Sequence, residues 1–106
     1  MLPEEDVETV RQWAEAKTPP EFRDRMRVEV EVERRSLTIV ECSLMGDRWL
    51  RVPAAKLLWT GRTQVWTLYR FDSNSKPHRY QFLEPSPRVQ DLLGEVDDDP
   101  TCIFWG

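Results

Sequence analysis

RVEVEVERRSLTIVEC, Arg27 to Cys42, decides the fold. Val28, Val30 and Val32 alternate strictly with Arg27, Glu29, Glu31 and Glu33, the period-two signature of a half-buried strand. With Arg34 and Arg35 making the turn, Val32 faces Leu37 and Val30 faces Ile39, so the apolar face continues across a hairpin. Thr38, Val40 and Cys42 then share the other face with the glutamates, a face only partly polar, and something is expected to cover its far end.

Outward from this hairpin the pattern stays consistent. Residues 3–17 read as an amphipathic helix with Pro3 in its first turn, Glu4, Glu5 and Asp6 at its positive end, and Val7, Val10, Trp13 and Ala14 on one face. TPPE (Thr18 to Glu21) has the form of a capping box opening one short helical turn, with Phe22 as its core anchor. MGDRW (Met45 to Trp49) reads as a turn, and Pro53 argues for irregular or edge structure after it. Strands resume with KLLWT, then QVWTLYRFD, then PHRYQFL, a three-stranded meander with tight connections. In the middle strand Gln64, Trp66, Leu68 and Arg70 face one way and Val65, Thr67, Tyr69 and Phe71 the other, so both faces are expected to be partly covered. SPRVQDLLGEV closes the pattern: Ser86 as cap, Pro87 at the first helical position, and a stripe of Val89, Leu92, Leu93 and Val96. The helix should end near Gly94 to Val96 with Asp97, Asp98 and Asp99 solvated beyond it, because aspartates oppose a helix C-terminus. The expectation is an α+β fold: a five-stranded, mainly antiparallel sheet, hairpin plus three-stranded meander, with an N-terminal and a C-terminal helix packed on it. At 106 residues, 1–106 form a single domain.

Charge is segregated. The net of -4 divides into -3 over residues 1–35, +4 over 36–83 and -5 over 84–106. The basic middle also holds Trp49, Trp59, Trp66, Tyr69, Phe71, Tyr80 and Phe82, 7 of the 11 aromatic residues. The acidic start MLPEEDVETV lacks the features of a signal or transit peptide, and no run is long and apolar enough to cross a bilayer, so a cytoplasmic protein without membrane contact is expected. Cys42 and Cys102 form no metal-spaced pair and are read as free thiols.

Catalytic equipment is missing from the sequence. His78 is the single histidine, and neither a phosphate loop, a dinucleotide fingerprint nor a nucleophile elbow occurs. Cys42 with His78 is read as a buried thiol and a strand histidine, and the three aspartates lack the alternation of a calcium loop. A non-enzymatic binding module without metal or cofactor is therefore expected. Its first reading is association with an unidentified protein partner or a second copy of the chain, anchored through Phe104 and Trp105. The same tail, DDDPTCIFWG, reads equally as a final segment turned back by Pro100 to pack on its own core. The second functional reading is single-stranded nucleic acid bound on a basic, aromatic meander, with Arg62, Arg70, Lys76, His78 and Arg79 for an anionic partner.

Several stretches together, VRQWAEAK, RVEVEVERRSLTIVEC, VPAAKLLWTGRTQVWTLYRFDSN, His78 and Arg79 before Tyr80, and the ending DPTCIFWG, resemble the bacterial family of domain of unknown function 3024. The resemblance spans nearly the whole chain. It implies a small stand-alone protein and carries no activity and no catalytic residues.

Overall fold

A computed structural model describes residues 1–105. Its elements follow as α1 (Glu4–Ala16), a single 3-10 turn (Pro20–Phe22), β1 (Met26–Val32), β2 (Ser36–Met45), β3 (Arg48–Thr60), β4 (Val65–Phe71), β5 (Pro77–Arg79) and α2 (Val89–Asp98). The strands form one antiparallel sheet in the order β1-β2-β3-β4-β5. Each strand therefore lies beside its neighbour in sequence. The register of the first hairpin is the one the alternation demands, with Val32 opposite Leu37 and Val30 opposite Ile39.

One face of the sheet holds the core. Leu37, Ile39, Ala55, Leu57, Trp66 and Leu68 come from the strands, Val10 from α1, and Val89, Leu92, Leu93 and Val96 from α2. Trp66 is fully buried, and its indole N–H donates to Asp6 Oδ2 in the first turn of α1 at 2.8 Å. Its ring lies 5.1 Å from that of Trp59, and its backbone exchanges two hydrogen bonds with Ser86 ahead of α2. One side chain thus ties a helix, a neighbouring strand and the approach to the second helix.

The three aspartates are not a solvated run. The helix α2 extends to Asp98, past the Gly94 to Val96 expected. Asp97 forms an ion pair with Lys17 and accepts from the Trp13 indole N–H at 3.0 Å, so the unfavourable charge at the helix end is offset by a cation from α1. Asp99 closes α2 in the left-handed region (φ 41°) and turns its carboxylate onto the returning chain. Oδ1 accepts from the N–H groups of Ile103 (2.8 Å) and Phe104 (3.0 Å), and Oδ2 from that of Trp105 (3.0 Å). Phe104 is thereby folded into the core against Tyr80, ring centroids 5.0 Å apart, and the Trp105 indole N–H donates to the Val96 carbonyl at 2.9 Å. The tail packs on its own core because one carboxylate satisfies three successive amides.

Four local expectations are corrected. Thr18 does not cap the 3-10 turn, which starts after Pro19; Arg23 instead reaches back to the carbonyls of Glu15 and Thr18. Phe22 is an exposed ring beneath Arg25 and not a core anchor. The helix α2 begins at Val89 rather than Pro87, because Ser86 is held in a bridge to Trp66; its hydroxyl accepts from Arg88 N–H and donates to Asp91. The last strand stops at Arg79, where Tyr80 leaves the sheet to bury its ring and donate its hydroxyl to Glu95 at 2.7 Å.

No helix packs on the second face, yet Val40 and Cys42 are buried there. Their cover is ionic. Arg51 on β3 reaches over β2 to Glu29 (2.5 Å) and Glu31 (2.8 Å) on β1, and Arg27 joins Glu29 at 2.8 Å while stacking 4.2 Å above the Trp49 ring. The hydrogen bond from Arg51, with the charges of Arg51 and Arg27, holds the Glu29 carboxyl below its usual value against the opposing effect of burial.

Three outcomes are expected. Asp6→Ala leaves the buried Trp66 N–H without an acceptor, about 1–3 kcal/mol, and should lower the melting temperature by at least about 5 °C, whereas Asp6→Asn, which keeps an acceptor, should lose less. Asp99→Ala should free the amides of Ile103, Phe104 and Trp105 to fast hydrogen exchange and destabilise the protein by about 2 kcal/mol; unchanged protection would rule the carboxylate out as the clamp. For Glu29 the folded pKa is the lower one, so its contribution is present above the unfolded value near 4.5 and is lost as pH falls through the folded value. The stability of the wild type over Glu29→Gln, about 1 kcal/mol for so exposed a network, should vanish below that range in paired melts across pH.

Candidate functional site

The surface the sequence conceals is the outer half of the β2–β3 hairpin. Gly46, at φ 66°, opens its two-residue turn between the paired residues Met45 and Arg48. Further down, Ile39 pairs with Ala55 but Val40 with Pro53, so Ala54 is an extra residue and the strand bulges. β3 therefore runs through Pro53 as one 13-residue strand, so of the two readings of Pro53, irregular or edge structure, the edge is the one found, while the turn expected over Met45 to Trp49 narrows to Gly46 and Asp47. Its partner on the far side, β4, has 7 residues and pairs only with Ala55 to Thr60. From Arg48 to Ala54 the outer edge of β3 has no strand beside it. A proline is tolerated there because one side of an edge strand needs no ladder donor.

Apolar side chains crowd this end of the sheet, those of β3 at the edge itself and those of β1 and β2 behind it. Leu50 and Val52, with Met26 and Met45, project on the helix side but beyond the reach of the helices, and Trp49 projects on the other face. These five are 37–60% exposed and make up half of the large apolar residues left open among the described residues. The hairpin extends a body measuring 44 × 28 × 24 Å. An unpaired backbone row beside exposed apolar side chains is the kind of sheet edge at which another strand can pair.

The basic residues selected from the sequence are divided between separate places. Arg62 lies in the Gly61–Gln64 turn before β4, and Arg70 near that strand's other end, about 20 Å away along the sheet. Arg70 and Arg79 come together at a cleft of ≈ 380 Å³ with Tyr80, Phe82, Thr101 and Ile103, and neither arginine makes an ion pair among the described residues. Lys76 and His78 belong to the turn organised by Asp72. That carboxylate accepts from the Lys76 N–H (3.0 Å) and the Asn74 N–H (2.8 Å) and bonds His78 Nε2 (2.7 Å), contacts that hold it below the usual carboxylate range.

The aromatic set does not assemble into a platform. Trp66 and Tyr80 are buried, Trp59 packs on Trp66, Tyr69 and Phe71 are half-buried on the opposite face, and Phe82 and Trp49 are exposed at different ends. Phe104 and Trp105, expected as anchors for a partner, are instead part of the core and its margin. Cys42 lies beneath Arg51, 3.5 Å from its guanidinium; burial and the adjacent Glu29 push the thiol up, which keeps it protonated and unreactive. His78 stands on β5, three strands across the sheet, so thiol and imidazole are about 14 Å or more apart and form no catalytic pair. Burial and the hydrogen bond to Glu95 likewise raise the Tyr80 phenol.

Among the described residues no group of three or more His, Cys, Asp or Glu is placed to hold a metal ion, and no helix is long and apolar enough to cross a membrane. No curated protein and no solved structure matches the chain. A family model does, over residues 2–106, from the helix α1 through the sheet to the clamped tail. By that match over nearly its full length, the chain belongs to the family described as "Domain of unknown function (DUF3024)".

Proposed function

We propose that this protein is a non-enzymatic binding module of the cytoplasm that takes an extended segment of a protein partner as an added strand along the open edge of β3. The observation that carries this reading is the row from Arg48 to Ala54, paired on one side only among the described residues and carrying exposed Leu50 and Val52. Backbone N–H and C=O groups in extended conformation pair with another backbone. The alternating side chains of an added strand would lie beside Leu50 and Val52 on one face and Trp49 on the other, so main-chain bonds supply affinity and apolar contacts supply selectivity. The groups with perturbed ionisation favour binding over catalysis: Glu29, Asp72 and Tyr80 are engaged in structural contacts and Cys42 is held neutral. Two free thiols, one of them exposed, suit a reducing compartment. The nucleic-acid reading loses support from the separation of Arg62 from Arg70 and the burial of Trp66 and Tyr80.

Leu50→Lys/Val52→Lys tests the reading, since both side chains are exposed and the variant should melt within a few degrees of the wild type. A protein retained by the wild type and lost by this variant, together with slowed exchange of the amides of residues 48–54 in the complex, is the expected result. Retention of the same partner by the variant would overturn it. Concentration-dependent dimerisation abolished by the substitutions would make the occupant a second copy, and salt-sensitive tryptophan quenching by short single-stranded RNA would favour nucleic acid.

A further inference from the structure

At the end of the sheet away from the hairpin tip, the β1–β2 turn (33–35) and the β3–β4 turn (61–64) lie side by side, fixed by the Trp59 N–H donating to the Arg35 carbonyl at 2.8 Å. Between them is a cavity of ≈ 420 Å³ lined by these turns and strand ends, with Arg35, Trp59, Thr60 and Arg62 among its side chains, and by Met1 at the start of the chain. Neither Arg35 nor Arg62 takes part in an ion pair or donates a side-chain hydrogen bond among the described residues. Acidic side chains are absent from this lining; Glu4 and Glu33 line a separate depression with Arg34.

Trp59 supplies the second observation. The indoles of Trp13, Trp66 and Trp105 each donate to an acceptor within the protein, whereas those of Trp59 and the exposed Trp49 have no acceptor among the described residues, and of these two only Trp59 lines a cavity. Gly61 leaves it open: a Cβ built there would stand 3.8 Å from Trp59 Nε1, so any longer side chain would extend over that edge. Two guanidinium groups without an ion pair among the described residues and a neutral N–H donor thus border one cavity that no carboxylate lines. A tetrahedral oxyanion can accept from several donors at once, and arginine's planar fork binds phosphate through two parallel bonds. The volume is of the size of small-ligand sites and exceeds what a bare phosphate fills.

We propose that this pocket binds an organic phosphate monoester, with Arg35 and Arg62 on the phosphate oxygens and the Trp59 indole N–H as a third donor. The site is independent of the β3 edge, whose nearer end at Ala54 lies about 15 Å from Trp59 along β3 and whose far end at Arg48 about 35 Å, so either assignment can fail without the other. In the 15N-labelled full chain, the Trp59 indole signal, identified by its loss in Trp59→Phe, is followed while inorganic phosphate, O-phosphoserine and adenosine monophosphate are added at constant ionic strength set with chloride. A saturable shift is expected, tighter for the organic phosphates than for the inorganic ion, and the order of the two organic probes identifies the source of the phosphate. Arg35→Gln/Arg62→Gln should weaken it by at least about tenfold. Gly61→Leu, at a position with an ordinary backbone angle, should retain the other indole signals and the melting temperature but abolish the response. Absence of saturable movement up to millimolar phosphate, or the same response in the double arginine variant, would overturn the proposal.

Discussion

The structure depends on burying one indole whose N–H needs an acceptor. Trp66 is the largest fully buried side chain of the core, and leaving its donor unpaired would cost about as much as a sizeable core truncation gains or loses. Asp6 supplies the acceptor from the first turn of α1, where a carboxylate is already favoured by the helix dipole. To deliver it, α1 must begin above β4 and then run toward β1, on which it packs. The second helix inherits its place from the same residue through the Ser86 bridge. Asp97 and Asp99 then fasten its far end to α1 and to the returning tail, so acidic side chains do three separate joining tasks in an acidic chain.

The two faces of the sheet are closed by different means. Helices and the tail cover one with apolar contacts, which are indifferent to salt and pH. Charged side chains from β1 and β3 cover the other, meeting across β2 above Val40 and Cys42. Such a cover is thin, and it allows five consecutive residues of β2, Ser36 to Val40, to be buried without a third layer. It ends where the helices end. Beyond it the hairpin continues with Met45, Leu50 and Val52 open on one face and, on the other, Trp49 beneath the Arg27 guanidinium.

Much of this was legible in the sequence where a pattern is enforced by two partners at once. The first hairpin has a readable register because a slip of one residue would turn Val28 and Val30 away from Leu37 and Ile39 together. The helical stripes and the α+β class were readable for the same reason. Local rules failed where tertiary contacts overrode them: Thr18 and Ser86 have capping chemistry, but Arg23 and the Trp66 bridge decide what happens there. The start of β3 was hidden because Ala54 breaks the alternation and Pro53 looks like a terminator until its position at an edge is known. Pro53 pointed to irregular or edge structure, but the extent of the open edge was not readable. That edge exists because β3 has 13 residues and β4 has 7, a comparison that needs the pairing and not the strands themselves. Conversely, Arg62 and Arg70 are close in sequence, but the extended strand between them holds them apart.

The order β1-β2-β3-β4-β5 has a kinetic consequence. Each pairing joins segments separated by a short turn, so the sheet can grow by successive hairpins, each a microsecond-scale event with little loop entropy to overcome. The contacts that seat the helices are of another kind: Asp6 and Trp66 are 60 residues apart, Lys17 and Asp97 80. These long closures are the slow steps of such a topology, and until they form the face around Trp66 stands open. The acidic side chains that lock the finished molecule are therefore expected to act late, after the barrier, governing how slowly it comes apart more than how fast it forms.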